Sequence, residues 1–338
     1  MNSYRYWCLE SRPDGNEMED LEAALVLKNG PLQEPADGEV LVKNHFLSMD
    51  AGTRMWMTDR EDGYNPPLPL GGPMVGLVLG RVEKSNDRAF ETGDLVRCFG
   101  QWADYSLVEP EMAGMVKLDD GIEDIRQYFG VLGMNGWTAL WGLTETAQVK
   151  SGENVLISAA AGATGILACQ IAKILGANVY GLAGGSEKCR WLEDEIGVTQ
   201  AIDYKSADVA AELSKIDGGI HAYFDNVAGP ILDAVLANMA LYGRIALCGL
   251  MAQYTGDGRG AGPQNFDQIL MKRLSVIGFF SPDFMDQGER LTAQLRKWLE
   301  GNEIMTPFDE TAGLENVLVA YRKLFSGGNI GKVIVNLN

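Results

Sequence analysis

The sequence predicts an α/β protein in two parts, a doubly wound parallel sheet together with a β-rich domain, and three observations carry that expectation. From residue 154 onward, short apolar runs alternate with helical patterns; residues 1–130 instead show short β runs broken by turn residues; and the first of the later apolar runs breaks into a stretch of alanine and glycine before a helical pattern begins. Strand and helix in alternation describe a parallel sheet with helical crossovers. At 338 residues the chain exceeds the size at which one hydrophobic core keeps growing, so two domains are expected.

In the first part EVLVKNHFLSMD, MVGLVLGRVEKS and DLVRCFGQWADYSLV read as strands, punctuated by Gly38, Gly71, Gly72, Gly76, Gly80 and Gly93. Thr58 to Pro69, rich in charge and proline, reads as an exposed loop that borders a site, and residues 131–143 as a helix leading into the second domain. Val155, Leu156 and Ile157 form a short apolar run of the kind buried on both faces of a parallel sheet. From Leu167 the spacing Leu167, Ile171, Ile174, Leu175 predicts a helix packed on that sheet, with Gly176 placed to stop it. NVYGLAG, a helix over 187–196, QAIDY, a helix over 206–216, HAYFDNV, a helix over 230–240, GRIALCG and LSVIGFF complete the alternation. Met251 to Asn265 reads as a long functional loop, 289–300 as a helix, and the closing VIVNLN as a strand returning to the first domain.

The small-residue turn aligns on the dinucleotide fingerprint as Ala160-x-Gly162-x-x-Gly165, with Ala160 where the first glycine usually stands. Gly162 lets the backbone approach a pyrophosphate, Gly165 lets the helix pack closely, and the helix N-terminus supplies N–H groups and a partial positive charge. A turn with no ligand is the plain alternative; the strand before it and the helix after it favour the nucleotide. A site for NAD has a carboxylate at the end of the second strand, where this chain reads Ala183, Gly184, Gly185, Ser186 and then Lys188. A 2′-phosphate on Lys188, helped by Ser186 or Arg190, is therefore expected, which indicates NADP.

Composition excludes other classes. Hydrophobic residues make up 46% and charged residues 22%, and no uninterrupted apolar segment reaches a membrane helix, so no membrane span is expected, while the acidic balance argues against an anionic membrane as a partner. The N-terminus lacks the marks of a signal peptide, and the five cysteines, an odd number, suit reduced thiols and a cytoplasmic protein. A net charge of −18 argues against nucleic acid, and it obliges an anionic cofactor to rely on a few well-placed cations. With only His45 and His221, and no C-x-x-C, no metal is expected; Cys98, Cys169, Cys189 and Cys248 read as packing residues. No G-x-S-x-G precedes a helix, so hydrolase chemistry is weakly supported.

The runs SAAAGATGILACQIAK, AGGSEKCRWL, AIDYK, YFDNVAG, GRIALCGLMAQY, VIGFF and GGNIGKVIV, in order over nearly the whole chain, resemble the zinc-independent medium-chain dehydrogenase/reductases, and among them the alkenal/enone double-bond reductases that include the prostaglandin reductases. The resemblance implies a GroES-like catalytic domain over 1–130, completed by 306–338, and a Rossmann NADP-binding domain over 131–305. It implies NADPH-dependent reduction of the C=C bond of an enone or enal, and a homodimer. Gly162, Ala163, Thr164 and Gly165 would then meet the pyrophosphate, Lys188 and Tyr204 the 2′-phosphate, and Asn226 the ribose side. Cys248 to Tyr254 would line the nicotinamide half, and Phe279, Phe280 and Asn329 would close over the cofactor. Tyr254 matches a tyrosine next to the substrate carbonyl, and Tyr64 a second tyrosine near the substrate.

There are departures. Gly72-Pro73-Met74 stands where zinc-dependent relatives carry Gly-His-Glu, in keeping with a metal-free site. Asp50-Ala51-Gly52-Thr53-Arg54 replaces Asp-Pro-Tyr-Met-Arg, and Asn135 interrupts Gly-Met-Pro-Gly; both changes are expected on the substrate side. The implied chemistry is hydride delivery to the β-carbon, with the enolate oxygen held by the Tyr254 hydroxyl and the cofactor ribose. A carbonyl or quinone reductase, or a non-catalytic NADPH-binding protein, are the rival readings. Charge-assisted contacts contribute about 1.5 to 3 kcal/mol, so Lys188→Ala is expected to raise the KM for NADPH about tenfold or more and to leave that for NADH nearly unchanged; steady-state kinetics with each cofactor read this, and an unaltered NADPH value would remove Lys188 from the 2′-phosphate.

Overall fold

A computed structural model describes residues 3–61, 65–254 and 262–338. The chain divides into two compact units. One takes the residues up to Tyr128, Tyr254, and Phe308–Asn338; the other takes Phe129–Gln253 and the later residues up to Pro307.

In the first unit β1 (Ser3–Leu9) pairs antiparallel with β2 (Leu25–Pro31), and helix α1 (Met18–Ala24) between them buries Leu21 and Ala24. After β3 (Val40–Ser48) comes a single helical turn, α2 (Thr53–Trp56), and then the short β4 (Gly72–Pro73) pairs with β1. β5 (Val75–Ser85), β6 (Leu95–Gln101), β7 (Tyr105–Val108) and β8 (Val116–Lys117) extend the antiparallel sheet begun by β3. Trp102 is fully buried at its centre, edge-on to Tyr321 with centroids 5.0 Å apart. Its indole Nε1 lies 2.5 Å from where a Gly76 Cβ would stand, so only glycine admits the ring there.

The second unit opens with α3 (Met134–Trp141) and then alternates β9 (Asn154–Ile157), α4 (Ala163–Ile174), β10 (Asn178–Ala183), α5 (Ser186–Trp191), β11 (Gln200–Asp203), α6 (Val209–Leu213), β12 (Ile220–Asp225), α7 (Gly229–Asn238) and β13 (Met239–Leu247). α8 (Asp267–Met271), β14 (Ser275–Gly278) and α9 (Gly288–Glu300) complete it. Among the described residues the six strands are all parallel, in the order β11-β10-β9-β12-β13-β14. This is the expected doubly wound Rossmann sheet, and its order reverses between β9 and β12, where such sheets bind ligands beyond the carboxyl ends of the strands. Every residue of β9 is buried, and Leu156, Leu182, Ile202, Tyr223 and Ile245, one from each of five strands, share one core.

One helix is shorter than the apolar spacing predicts. α6 spans five residues instead of 206–216, because Asp208 caps it by accepting from the Ala211 N–H (3.1 Å) and two left-handed glycines, Gly218 and Gly219, lie beyond it. α5 passes into a wider turn over Leu192–Ile196, which Gly197 ends at φ +70°. Gly176 ends α4 as expected, at φ +83°.

The chain then returns to the first unit. β15 (Phe308–Ala312) pairs parallel with β16 (Lys332–Asn336), α10 (Val317–Ser326) joins them, and β16 runs antiparallel to β3. The path of this sheet is β15-β16-β3-β5-β6-β8, with β7 also on β3. The closing strand expected from VIVNLN is therefore interior to it. Among the described residues no helix is long and apolar enough to cross a membrane.

Candidate functional site

The phosphate turn follows β9. The Gly162 N–H donates to the Ala159 carbonyl (2.9 Å), Ala159 takes a left-handed φ of +46°, and Gly162 serves as the N-cap of α4 with no side chain capping the helix. The first-turn N–H groups of α4 thus face out of the turn, which is how a helix N-terminus receives an anion. A Cβ on Gly165 would stand 2.1 Å from the Ala159 oxygen, so glycine is required for the helix to close on the turn. Ala160, at the place of the missing first glycine, is buried with its methyl 3.0 Å from where a Gly181 Cβ would be. Gly181 on β10 thereby gives the space that Ala160 takes.

Asn135 reaches this turn. Its Nδ2 donates to Thr164 Oγ1 at 2.9 Å. The amide occupies one lone pair of the hydroxyl and leaves its proton available to a ligand. In the other departure Thr53 is buried against the first unit's core with its Oγ1 2.9 Å from the Tyr321 hydroxyl. Arg54, fully buried, donates through Nε to Asn16 Oδ1 (2.7 Å) and through Nη2 to the Pro13 carbonyl (2.6 Å). Lys332 Nζ binds Asp50 Oδ1 (2.6 Å) and the Met49 carbonyl (2.9 Å). These residues build the scaffold of the first unit.

A second loop pair lies at the ends of β10 and β11. No carboxylate follows Ala183 in sequence, yet Asp203 approaches from β11: its Oδ1 accepts the Gly185 N–H (2.8 Å) and the Lys205 N–H (3.0 Å), and its Oδ2 the Ser206 hydroxyl (2.8 Å). These donors, the Gly185 N–H foremost, hold the Asp203 carboxyl below its usual pKa. The acid is therefore occupied in joining the two loops. Beside it the Tyr204 hydroxyl and the Lys205 Cε lie 2.8 and 2.9 Å from where a Gly184 Cβ would stand, while Ser186 is exposed and Lys188 partly buried on α5. Arg190 turns its Nε to the Ser186 carbonyl (3.4 Å). Sequence reasoning missed Asp203 and Lys205, although the run Asp-Tyr-Lys was the available signal.

The third loop follows β12 at the point where the strand order reverses. Asp225 is fully buried, and its Oδ1 accepts from Tyr223 OH (2.8 Å), Ser158 Oγ (3.2 Å), Val227 N (2.9 Å) and Ala228 N (2.8 Å). Burial pushes its carboxyl up, against the pull of these donors. Asn226 donates its own N–H to Ser158 Oγ (2.8 Å) and its Nδ2 to the Ser158 carbonyl (2.7 Å), so the ends of β9 and β12 are tied together. The N–H groups of Cys248 and Gly249 reach the Asp225 carbonyl at 2.8 and 3.0 Å and hang the loop after β13 on the same residue. Burial pushes the Cys248 thiol up to about 12, so it stands as a neutral wall and not as a nucleophile. Cys98 and Cys169 are raised equally, to about 12, and Cys189 to about 11.

Of the remaining expected residues, Phe279 lies edge-on to Phe224 (centroids 5.9 Å) and against Phe284 (6.5 Å), and Phe280 follows it in extended backbone, φ −142°. In the first unit Tyr254 is partly buried, and Asn329 is buried with its Nδ2 on the Gly331 carbonyl (2.9 Å). Tyr64 lies outside the described residues. Among the described residues no group of three or more His, Cys, Asp or Glu is arranged to hold a metal ion, and Met74 is buried in the first unit's core. An uncapped helix start, Tyr204 and Lys205 gathered above Gly184, and an acid already occupied by protein donors fit a dinucleotide that carries a 2′-phosphate.

Comparison with known proteins agrees with this geometry. A family described as the N-terminal domain of oxidoreductase matches residues 5–116, and one described as zinc-binding dehydrogenase matches 163–297. The chain is 34% identical to the NADPH-dependent curcumin reductase of Escherichia coli, over 98% of this chain and 96% of that protein. It is 36% identical to a 2-alkenal reductase (NADP(+)-dependent) of Nicotiana tabacum, over 96% of this chain and 93% of the relative. The crystal structure of CurA in complex with NADPH from Vibrio vulnificus superposes with a TM-score of 0.91 at 35% identity, covering 99% of both chains.

Ala228, at φ +60° and ψ −147°, holds a conformation that suits glycine, and the Asp225 carboxylate keeps it there. Ala228→Gly is expected to relieve about 1 to 3 kcal/mol of strain and to raise the melting temperature in differential scanning calorimetry; a lowered melting temperature would mean that Ala228 is not strained.

Proposed function

The chain belongs to the zinc-independent medium-chain dehydrogenase/reductases, in the alkenal/enone reductase branch, and from that membership we propose that it reduces the C=C bond of α,β-unsaturated ketones and aldehydes. It is an NADP-dependent reductase of the curcumin and alkenal reductase type. The observation that carries the cofactor reading furthest is the loop pair at β10 and β11, where Asp203 is spent on Gly185, Lys205 and Ser206, so that this acid is not the ribose-binding carboxylate of an NAD site.

In this proposal the first-turn N–H groups at Ala163, Thr164 and Gly165, with Gly162 ahead of them, hold the pyrophosphate. Ser186, Lys188 and Tyr204 receive the 2′-phosphate. Asn226, whose Nδ2 is committed to Ser158, keeps its carbonyl oxygen for a ribose hydroxyl. Cys248 lines the nicotinamide half as a neutral thiol, and Phe279, Phe280 and Asn329 close over the cofactor. NADPH, when bound, supplies the hydride that the β-carbon receives. Tyr254 donates a hydrogen bond to the carbonyl oxygen on which charge builds; a positioned donor of this kind contributes about 3 to 4 kcal/mol to the transition state. Tyr64 stands as the second tyrosine near the substrate, and water or a tyrosine supplies the proton to the α-carbon.

We also read the active form as a homodimer joined through β14. This strand ends the parallel sheet, pairs only with β13 among the described residues, and leaves Val276 and Ile277 41% and 42% exposed. An open, apolar edge is a template for another strand, and a second copy offers the same edge about a twofold axis. Ile277→Lys should convert a dimer to a monomer in light scattering after size exclusion; a wild-type monomer would end the reading.

The function is tested by incubating the protein with NADPH and a panel of enones, enals and quinones and identifying the products by mass together with NMR. A saturated ketone or aldehyde two mass units heavier, its carbonyl intact, is expected; an allylic alcohol or a hydroquinone would overturn C=C reduction. Tyr254→Phe is expected to lower kcat on an enone by about a hundredfold with the Kd for NADPH little changed, and full turnover by that variant would remove Tyr254 from the chemistry.

A further inference from the structure

The loop after β11 carries a cation that the reading above leaves unassigned. Lys205 follows Tyr204, is exposed, and has its backbone N–H fixed on Asp203 Oδ1 at 3.0 Å. Its Cε lies 2.9 Å, and the Tyr204 hydroxyl 2.8 Å, from the place a Gly184 Cβ would occupy, so both side chains converge above the glycine that ends the β10 segment. Its ammonium forms no ion pair among the described residues, although its charge helps to hold the Asp203 carboxyl down. Nor is the arrangement a matter of loop chance, because Asp203 binds Gly185, Lys205 and Ser206 together and so fixes the two loops relative to each other.

Charge gives this position a role. A phosphate monoester carries roughly −1.5 to −2 at neutral pH, and Asp203, kept ionised by its N–H donors, adds a further negative charge beside it. One lysine, Lys188, leaves this grouping strongly anionic in a protein whose net charge is already −18. A second cation is needed to offset the acid that builds the loops. We propose that Lys205 is that cation: it binds the adenosine 2′-phosphate opposite Lys188 and, with it, determines the preference for NADPH over NADH. This rests on the cofactor reading above and extends it to a residue outside the expected set.

The probes are 2′,5′-ADP and 5′-AMP, which differ only in the 2′-phosphate, titrated into the full-length protein by calorimetry. Wild type is expected to bind 2′,5′-ADP the more tightly. Lys205→Met is expected to weaken 2′,5′-ADP about tenfold, equivalent to about 1.4 kcal/mol, with 5′-AMP unchanged, and Lys205→Arg to restore most of the loss. An unchanged ratio in Lys205→Met overturns the assignment while leaving the cofactor reading intact. An equal loss for both ligands overturns it too, since that is damage to the loop and not to phosphate recognition. A wild type that does not distinguish the two ligands overturns the cofactor reading itself, and this inference with it.

Discussion

The buried carboxylate of Asp225 is the constraint on which the arrangement of the cofactor loops depends. One of its oxygens gathers a tyrosine hydroxyl, a serine hydroxyl and two backbone N–H groups, and its own carbonyl takes two more from the loop after β13. A buried acid is unfavourable unless it is met by donors. Here the donors to the carboxylate belong to the ends of β9 and β12, and the backbone carbonyl of the same residue holds the loop after β13, so one residue sets the spacing of the loops at the point where the strand order reverses. The strained backbone at Ala228 persists for the same reason: the hydrogen bonds around Asp225 over-determine it.

A second acid plays a parallel part at the other end of the site. Asp203 joins the loops after β10 and β11 as Asp225 joins those after β9, β12 and β13, but it stands at the surface, with its carboxyl held below its usual range instead of raised by burial. The two acids thus shape the turns without offering a free carboxylate to the ligand. In a chain so rich in acids, this use of aspartate suits the proposed nucleotide site, which must accept phosphate.

Much of this was legible in the sequence, and the omissions have physical causes. The strand-turn-helix around Gly162 and Gly165 could be read because its requirements are local: a short buried run, small residues, then helical spacing. Ala160 is legible only as an exception, since the glycine that compensates it, Gly181, lies on the next strand. The place of Lys188 on the helix directly after its strand was readable; Asp203 and Lys205 meet a loop some twenty residues earlier, a relation that exists only once β10 and β11 pair. The contacts of Asn135 with Thr164 and of Thr53 with Tyr321 were not legible, because a departure from a pattern reveals where a chain differs, not which neighbour the new side chain meets. The shorter α6 reflects local capping at Asp208, which outweighs apolar spacing over a few residues.

β16 lies between β15 and β3 in the first unit's sheet, although nearly the whole second unit separates β3 from it in sequence. During synthesis, residues 129–253 and almost all that complete the second unit leave the ribosome before β15 and β16 do. The nucleotide-binding unit can therefore gather its own strands while the β-rich unit still lacks interior ones, its β3 edge unpaired on that side. The late strands must then close a sheet across a folded insertion, which shortens the effective loop they span relative to an unfolded chain of the same length. Biogenesis of this fold thus runs from the inside of the sequence outward, and damage to the inserted unit would be expected to surface as aggregation of the one that waits for it.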